Sequence, residues 1–164
     1  MKKITFIFTA LLIGSLLLTN CKKKSADDNG NVNPPTPDEI SYRITKSNDS
    51  YTADPSLKYN IVYYTSNTDS VVLNNVSLPW QSEQITVTQK PFTARLKAEL
   101  TFNEEDLPDH SFYLGHQHFI YYNTICYHPY NRFLIMPSKE QFLNFVATHP
   151  DSELVRFTEE YIVE

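Results

Sequence analysis

Glycine is nearly missing from this chain, with three among 164 residues. Gly14 lies in an apolar run near the start and Gly30 in a polar stretch, so Gly115 alone serves the remainder. Neither G-x-x-x-x-G-K-[ST] nor G-x-G-x-x-G can be written, which excludes the usual phosphate-cradling loops. G-x-S-x-G is absent as well. Cysteine is as scarce, limited to Cys21 and Cys126. Long hydrophobic runs number one, Ile4 to Leu18. Its fifteen residues make about 22 Å of helix, short of a hydrocarbon core of ~30 Å. Basic residues are outnumbered, 14 against 19 acidic. A polyanionic partner such as nucleic acid is therefore excluded as an expectation.

The apolar run follows Met1-Lys2-Lys3 and ends before Leu18-Thr19-Asn20-Cys21. A short basic start and a core of this length read as a signal peptide over residues 1–20. The stretch ending in Cys21 resembles the lipobox of bacterial lipoproteins, with Asn20 standing where a smaller residue is usual. The resemblance implies a lipid on Cys21 and a membrane partner reached through it, since several acyl chains on one cysteine anchor stably. Loss of the leader leaves 12 basic and 19 acidic residues, a net charge of −7. With Cys21 acylated, Cys126 has no partner for an intramolecular disulfide.

Residues 21–39 carry KKKSADD, then Pro34-Pro35-Thr36-Pro37, and no apolar period. They read as a disordered, partly stiff tether. A single domain is expected over residues 40–164. Tyrosine and phenylalanine, 11 and 10 in number, favour strands there. The clearest strand is Phe92–Phe102, with Phe92, Ala94, Leu96, Ala98, Leu100 and Phe102 on one face. Thr93, Arg95, Lys97, Glu99 and Thr101 take the other. Alternation of this length means one face on a core and one in water, as in antiparallel sheets. Further strands are expected at Ile40–Lys46, Lys58–Thr65, Ser70–Leu73, Gln84–Gln89, Phe112–Ile125 and Arg132–Met136. Asn/Asp/Ser/Pro clusters, among them Leu78–Ser82 and Asn103–Asp109, separate them. Asn and Asp tolerate left-handed backbone, so scarce glycine does not oppose such turns. The sum is a mainly β chain, an antiparallel β-sandwich. Ser138-Lys-Glu-Gln141 is a capping box opening a helix over about 139–148, with Pro150 beyond its end. Residues 152–163 fit both helix and strand; the helical reading is preferred, for one or two short C-terminal helices.

Four stretches, Tyr42-Arg43-Ile44, Ile61–Thr65, Asn75–Trp80 and Phe92-Thr93-Ala94, resemble small bacterial envelope lipoproteins with an immunoglobulin-like sandwich. Those are similar to the mycobacterial small membrane-protein family that assists exporters. The resemblance covers about residues 40–102. It implies an immunoglobulin-like fold and a place in the cell envelope, at the outer membrane on its periplasmic side or surface. It implies no catalytic residue and no cofactor.

Chemistry concentrates in one patch. His110, His116, His118, Cys126 and His128 fall within nineteen residues. On a regular strand His116 and His118 share a face about 7 Å apart, suiting one metal ion if His128 or Cys126 adds a third ligand. Zinc or copper is the natural candidate. The same spacing equally suits two structural core histidines. Which face they occupy turns on Gly115: a bulge there would send them to solvent. Cys126 among aromatic neighbours is expected to be buried and inert. Glu104-Glu105-Asp106 reads as a solvated turn. Trp80 with Tyr63, Tyr64, Tyr121, Tyr122, Tyr127 and Tyr130 offers stacking surface for a glycan or an envelope protein, or fills the core. The functional expectation is a lipid-anchored, non-enzymatic envelope binding or accessory module, with metal binding as the alternative.

Overall fold

The alternation at residues 92–102 becomes a ten-residue strand whose inward side chains, Phe92, Ala94, Leu96, Ala98 and Leu100, are all buried. The computed structural model describes residues 36–46 and 51–164, without the side chains at 128 and 129. The leader and Cys21 lie outside the described residues. Among the described residues nine strands follow in order: β1 Glu39–Thr45, β2 Lys58–Tyr64, β3 Ser70–Val76, β4 Trp80–Gln81, β5 Ile85–Thr86, β6 Phe92–Thr101, β7 Phe112–Tyr122, β8 Ile125–Met136 and β9 Arg156–Val163. The helix α1, Lys139–Thr148, lies between β8 and β9. Glu104–Asp106 form a single exposed 3-10 turn, the solvated turn expected there.

Two antiparallel sheets pack face to face. The first runs β4-β1-β7-β8, with β5 also paired to β1, and the second runs β3-β2-β6-β9. Among the described strands only β2–β3 and β7–β8 are hairpins; the other pairings join strands far apart in the chain. The core between the sheets takes Ile40, Tyr42 and Ile44 from β1, Tyr59 and Ile61 from β2, and Leu114 and Ile120 from β7. This is the mainly β sandwich expected from the turn spacing.

The helical reading of residues 152–163 is overturned. Residues 156–163 form β9, paired antiparallel with β6 from Phe92↔Val163 to Glu99↔Arg156. Phe157 and Val163 point inward and are buried. Helical and strand patterns compete evenly in this segment, and the open edge of β6 decides, since a strand there gains a full ladder. Two smaller differences share that cause. Trp80–Gln81, expected within a turn, pairs with Ile44 and Arg43 of β1. The long strand expected at Phe112–Ile125 turns at Asn123-Thr124, where φ is 47° and 72°. Positive φ at both central residues is the tight hairpin geometry, which suits Asn123 and strains Thr124. Asn123 also ties the turn to β1: its Oδ1 accepts from the Glu39 N–H at 2.8 Å, and its Nδ2 donates to Asp38 at 2.7 Å. The capping box holds, with Ser138 Oγ accepting from the Gln141 N–H at 3.3 Å. From α1, Phe142 plugs one end of the sandwich against Phe102 and Phe112, with ring centroids 4.8 and 5.4 Å away.

Gly115 makes no bulge. It pairs regularly with Phe133, and its φ is not positive. A Cβ there would stand 2.4 Å from the Arg132 carbonyl oxygen and 2.6 Å from the Phe133 ring. The glycine is thus required by close approach, with an aromatic ring from β8 laid across it. The irregularity in this hairpin lies further along, where His118 pairs with Tyr130 and Ile120 with Tyr127, leaving an extra residue of β8 opposite Phe119. Gly115→Ala is expected to cost about 1–3 kcal/mol by overpacking, measured by urea unfolding. Adding Phe133→Ala relieves the ring contact but not the carbonyl contact, so rescue will be partial.

Candidate functional site

Regular alternation through Gly115 sends His116 and His118 inward, where they are 0% and 1% exposed. Their surroundings are mainly aromatic. His118 stacks on Phe157 with centroids 4.0 Å apart and on Tyr130 at 4.7 Å, each within 12° of parallel. His116 stacks on Phe157 at 4.7 Å and meets the Tyr59 ring edge-on at 5.6 Å. The two imidazoles are 5.4 Å apart, centroid to centroid. Flat rings suit this layer between the sheets, and the polar edges are partly served. Tyr59 Oη lies 3.4 Å from His116 Nδ1, and Glu159 Oε1 lies 3.2 Å from His118 Nε2. A carboxylate only accepts, so His118 carries its proton on Nε2. That leaves His118 Nδ1 and His116 Nε2 buried without partners.

Burial holds the His116 imidazole down at about 3, with neighbouring His118 lowering it further. His118 is lowered too, mainly by burial, against the pull of Glu159. Both rings are therefore neutral at pH 7, and the His118–Glu159 contact is a hydrogen bond rather than an ion pair. Around the pair, Tyr130 donates to Glu153, which also faces Arg132 at 3.7 Å.

The structure separates the other expected ligands from this pair. Cys126 pairs with Tyr121 on the outer face of β7, opposite to the histidines, and it is exposed. The expectation of a buried cysteine fails because residue 126 sits beside the hairpin turn at the sheet edge. Burial raises its thiol, while a hydrogen bond from Tyr121 lowers it. His128 belongs to β8, but its side chain lies outside the described residues. Among the described residues, no three of His, Cys, Asp and Glu stand close enough to hold one ion. His110 is exposed in a loop. As described, the pair fits a metal through two free nitrogens only.

The expected aromatic surface is dispersed. Tyr63 and Trp80 pack on the core, 5.4 Å apart. Tyr122, Tyr127 and Tyr161 gather at the rim between the sheets. Tyr64 lies under Arg95 on the second sheet. Tyr121 opens onto the outer face of the first sheet, beside a groove of about 320 Å³ that pattern reading missed. Its lining includes Glu39, Ser41 and Arg43 of β1, Gln81 of β4, Gln84 and Tyr121. Alternation along β1 marks the first three as outward, but only its register with β4 and β7 brings the others alongside.

No known protein family matches the chain, and no curated protein is significantly similar to it.

The buried pair makes stability pH-dependent. Below about pH 6.5 the unfolded chain protonates both histidines, whereas folded His116 resists down to about 3. The unfolded state then binds more protons, so stability falls as pH falls through this window. His116 alone contributes a slope of about 1.4 kcal/mol per pH unit. Urea unfolding at pH 7 and pH 5 should show the loss, and His116→Phe should flatten it by about one proton's worth.

Proposed function

We propose that the chain is a lipid-anchored, non-enzymatic binding or accessory module of the cell envelope. The observation that carries the reading is the order of its parts. A basic start and short apolar run end at Leu18-Thr19-Asn20-Cys21; a proline-containing tether then leads into the sandwich. A module tethered in this way meets membrane neighbours at high effective concentration, so modest intrinsic affinity suffices. The likeness of residues 40–102 to small envelope lipoproteins supports the same reading. So does the sealing of the histidine pair between the sheets, which keeps it from meeting a substrate. Replacing Cys21 by Ala is expected to move the protein from the membrane fraction to the soluble fraction. Unchanged fractionation would reject the lipid anchor.

A second reading, a zinc- or copper-binding lipoprotein, is favoured by one observation: His116 Nε2 and His118 Nδ1 are buried without partners. In it, His128 supplies the third ligand. Metal analysis of the purified chain should then find stoichiometric zinc or copper that His118→Ala abolishes. A metal-free protein that binds neither ion below about 1 μM, the level of an ordinary specific complex, would end this reading.

A further inference from the structure

The two outer faces of the sandwich differ in how their polar groups are satisfied. On the second sheet both arginines are neutralised across strands: Arg95 pairs with Glu160, and Arg156 with Glu99, while Lys97 between them faces Thr158. These are register partners on β6 and β9. On the first sheet Arg43 is exposed, and no described acidic group pairs with it. Its cross-strand neighbours are Gln81 on β4 and Phe119 on β7. Ser41, two residues away, lies beside Tyr121, whose ring is 6.0 Å from that of Phe119. Glu39 ends the row.

From this we infer that the groove along β1 binds a short saccharide bearing a carboxylate, with Arg43 holding the carboxylate and Tyr121 the sugar face. The assignment rests on the reading of the chain as an envelope binding module and names the chemistry of its ligand. Each element of the groove matches one part of such a molecule. A guanidinium engages a carboxylate through two parallel N–H donors. The carboxamides of Gln81 and Gln84 each offer donors and an acceptor, which suits neighbouring hydroxyls. An aromatic ring supplies a flat apolar surface with a polar tip for the C–H face of a sugar. Glu39 accepts from hydroxyls and repels a second carboxylate. It lies four positions from Arg43 on the same face, about 13 Å at the strand rise. The carboxylate is thereby directed to the Arg43 end, and the span fits a short oligosaccharide. The volume of about 320 Å³ lies at the small end of ligand clefts.

A peptide fits less well. β1 is hydrogen-bonded on both sides, to β4 and β5 and to β7, so it presents no free edge for an added strand. Nor does the groove offer a deep apolar pocket for an anchoring side chain.

The test uses the full chain with Cys21→Ser, which leaves Cys126 as its single thiol. Cys126 lies beside Tyr121 on the same face, so alkylation of its thiol reports occupancy of the groove. The probes are glucuronosyl-xylobiose, a trisaccharide with a single carboxylate, the neutral maltotriose and an acidic tripeptide, each titrated calorimetrically up to about 10 mM, beyond a millimolar Kd. Glucuronosyl-xylobiose is expected to bind and to slow alkylation of Cys126. Arg43→Gln should weaken it by about tenfold or more, the scale of a lost charge-assisted hydrogen bond. Because Arg43 is exposed, an unchanged thermal midpoint will show that the variant is folded. Gln81→Ala should weaken binding less than Arg43→Gln does. Absence of glucuronosyl-xylobiose binding, equal binding of maltotriose, indifference to Arg43→Gln, or preference for the tripeptide would each overturn the proposal. None of these outcomes touches the fractionation of the Cys21→Ala variant, so the ligand and the anchor fail separately.

Discussion

Along β7, every second side chain from Phe112 to Ile120 enters the space between the sheets, and no irregularity breaks that count before His118. Both sites depend on it. The same parity that drives His116 and His118 inward carries Phe119 and Tyr121 out toward the groove. A slip of one residue would expose two imidazoles and bury an amide and two rings. Gly115 protects the count: it lets the Phe133 ring of β8 lie flat across β7 without a kink.

The inward histidines are stabilised by shape and stacking more than by polar partners. Phe157 meets both rings, Tyr130 covers one of them, and a single carboxylate reaches in from β9. Two buried nitrogens stay unsatisfied, a cost of about 1–3 kcal/mol each in typical proteins. Neutral imidazoles tolerate such a setting as ions would not, because desolvating a charge costs far more. Packing favours the pair here, and the neutral state follows from it.

Much of the architecture was legible in the sequence. β6, β1 and β2 announce themselves through alternation, and Ser138 with Pro150 brackets α1 to within a residue. What escaped depended on partners distant in the chain. Residues 156–163 carry a mixed period, and only the free edge of β6 makes them a strand. Trp80–Gln81 is too short for any pattern and exists through its contact with β1. The histidine pair was visible as chemistry, but its facing was open, since a lone glycine allows a bulge as readily as a close ring contact. The groove was invisible for a plainer reason. Arg43, Gln81 and Tyr121 are separated by tens of residues and become neighbours only through the register of three strands.

The placement of β9 has a consequence for the order of assembly. The strand that supplies Phe157 and Glu159 to the imidazoles follows every other described element, and its partner β6 lies some sixty residues earlier. Pairings of such long range form late, because loop closure precedes the contacts that repay it. Until β9 docks, one flank of the histidine layer lacks the Phe157 ring and the Glu159 carboxylate that cover it. The eight residues of β9 therefore act as a closing seam. A mildly acidic medium met before β9 docks would favour the protonated imidazoles and so oppose the closing of this seam.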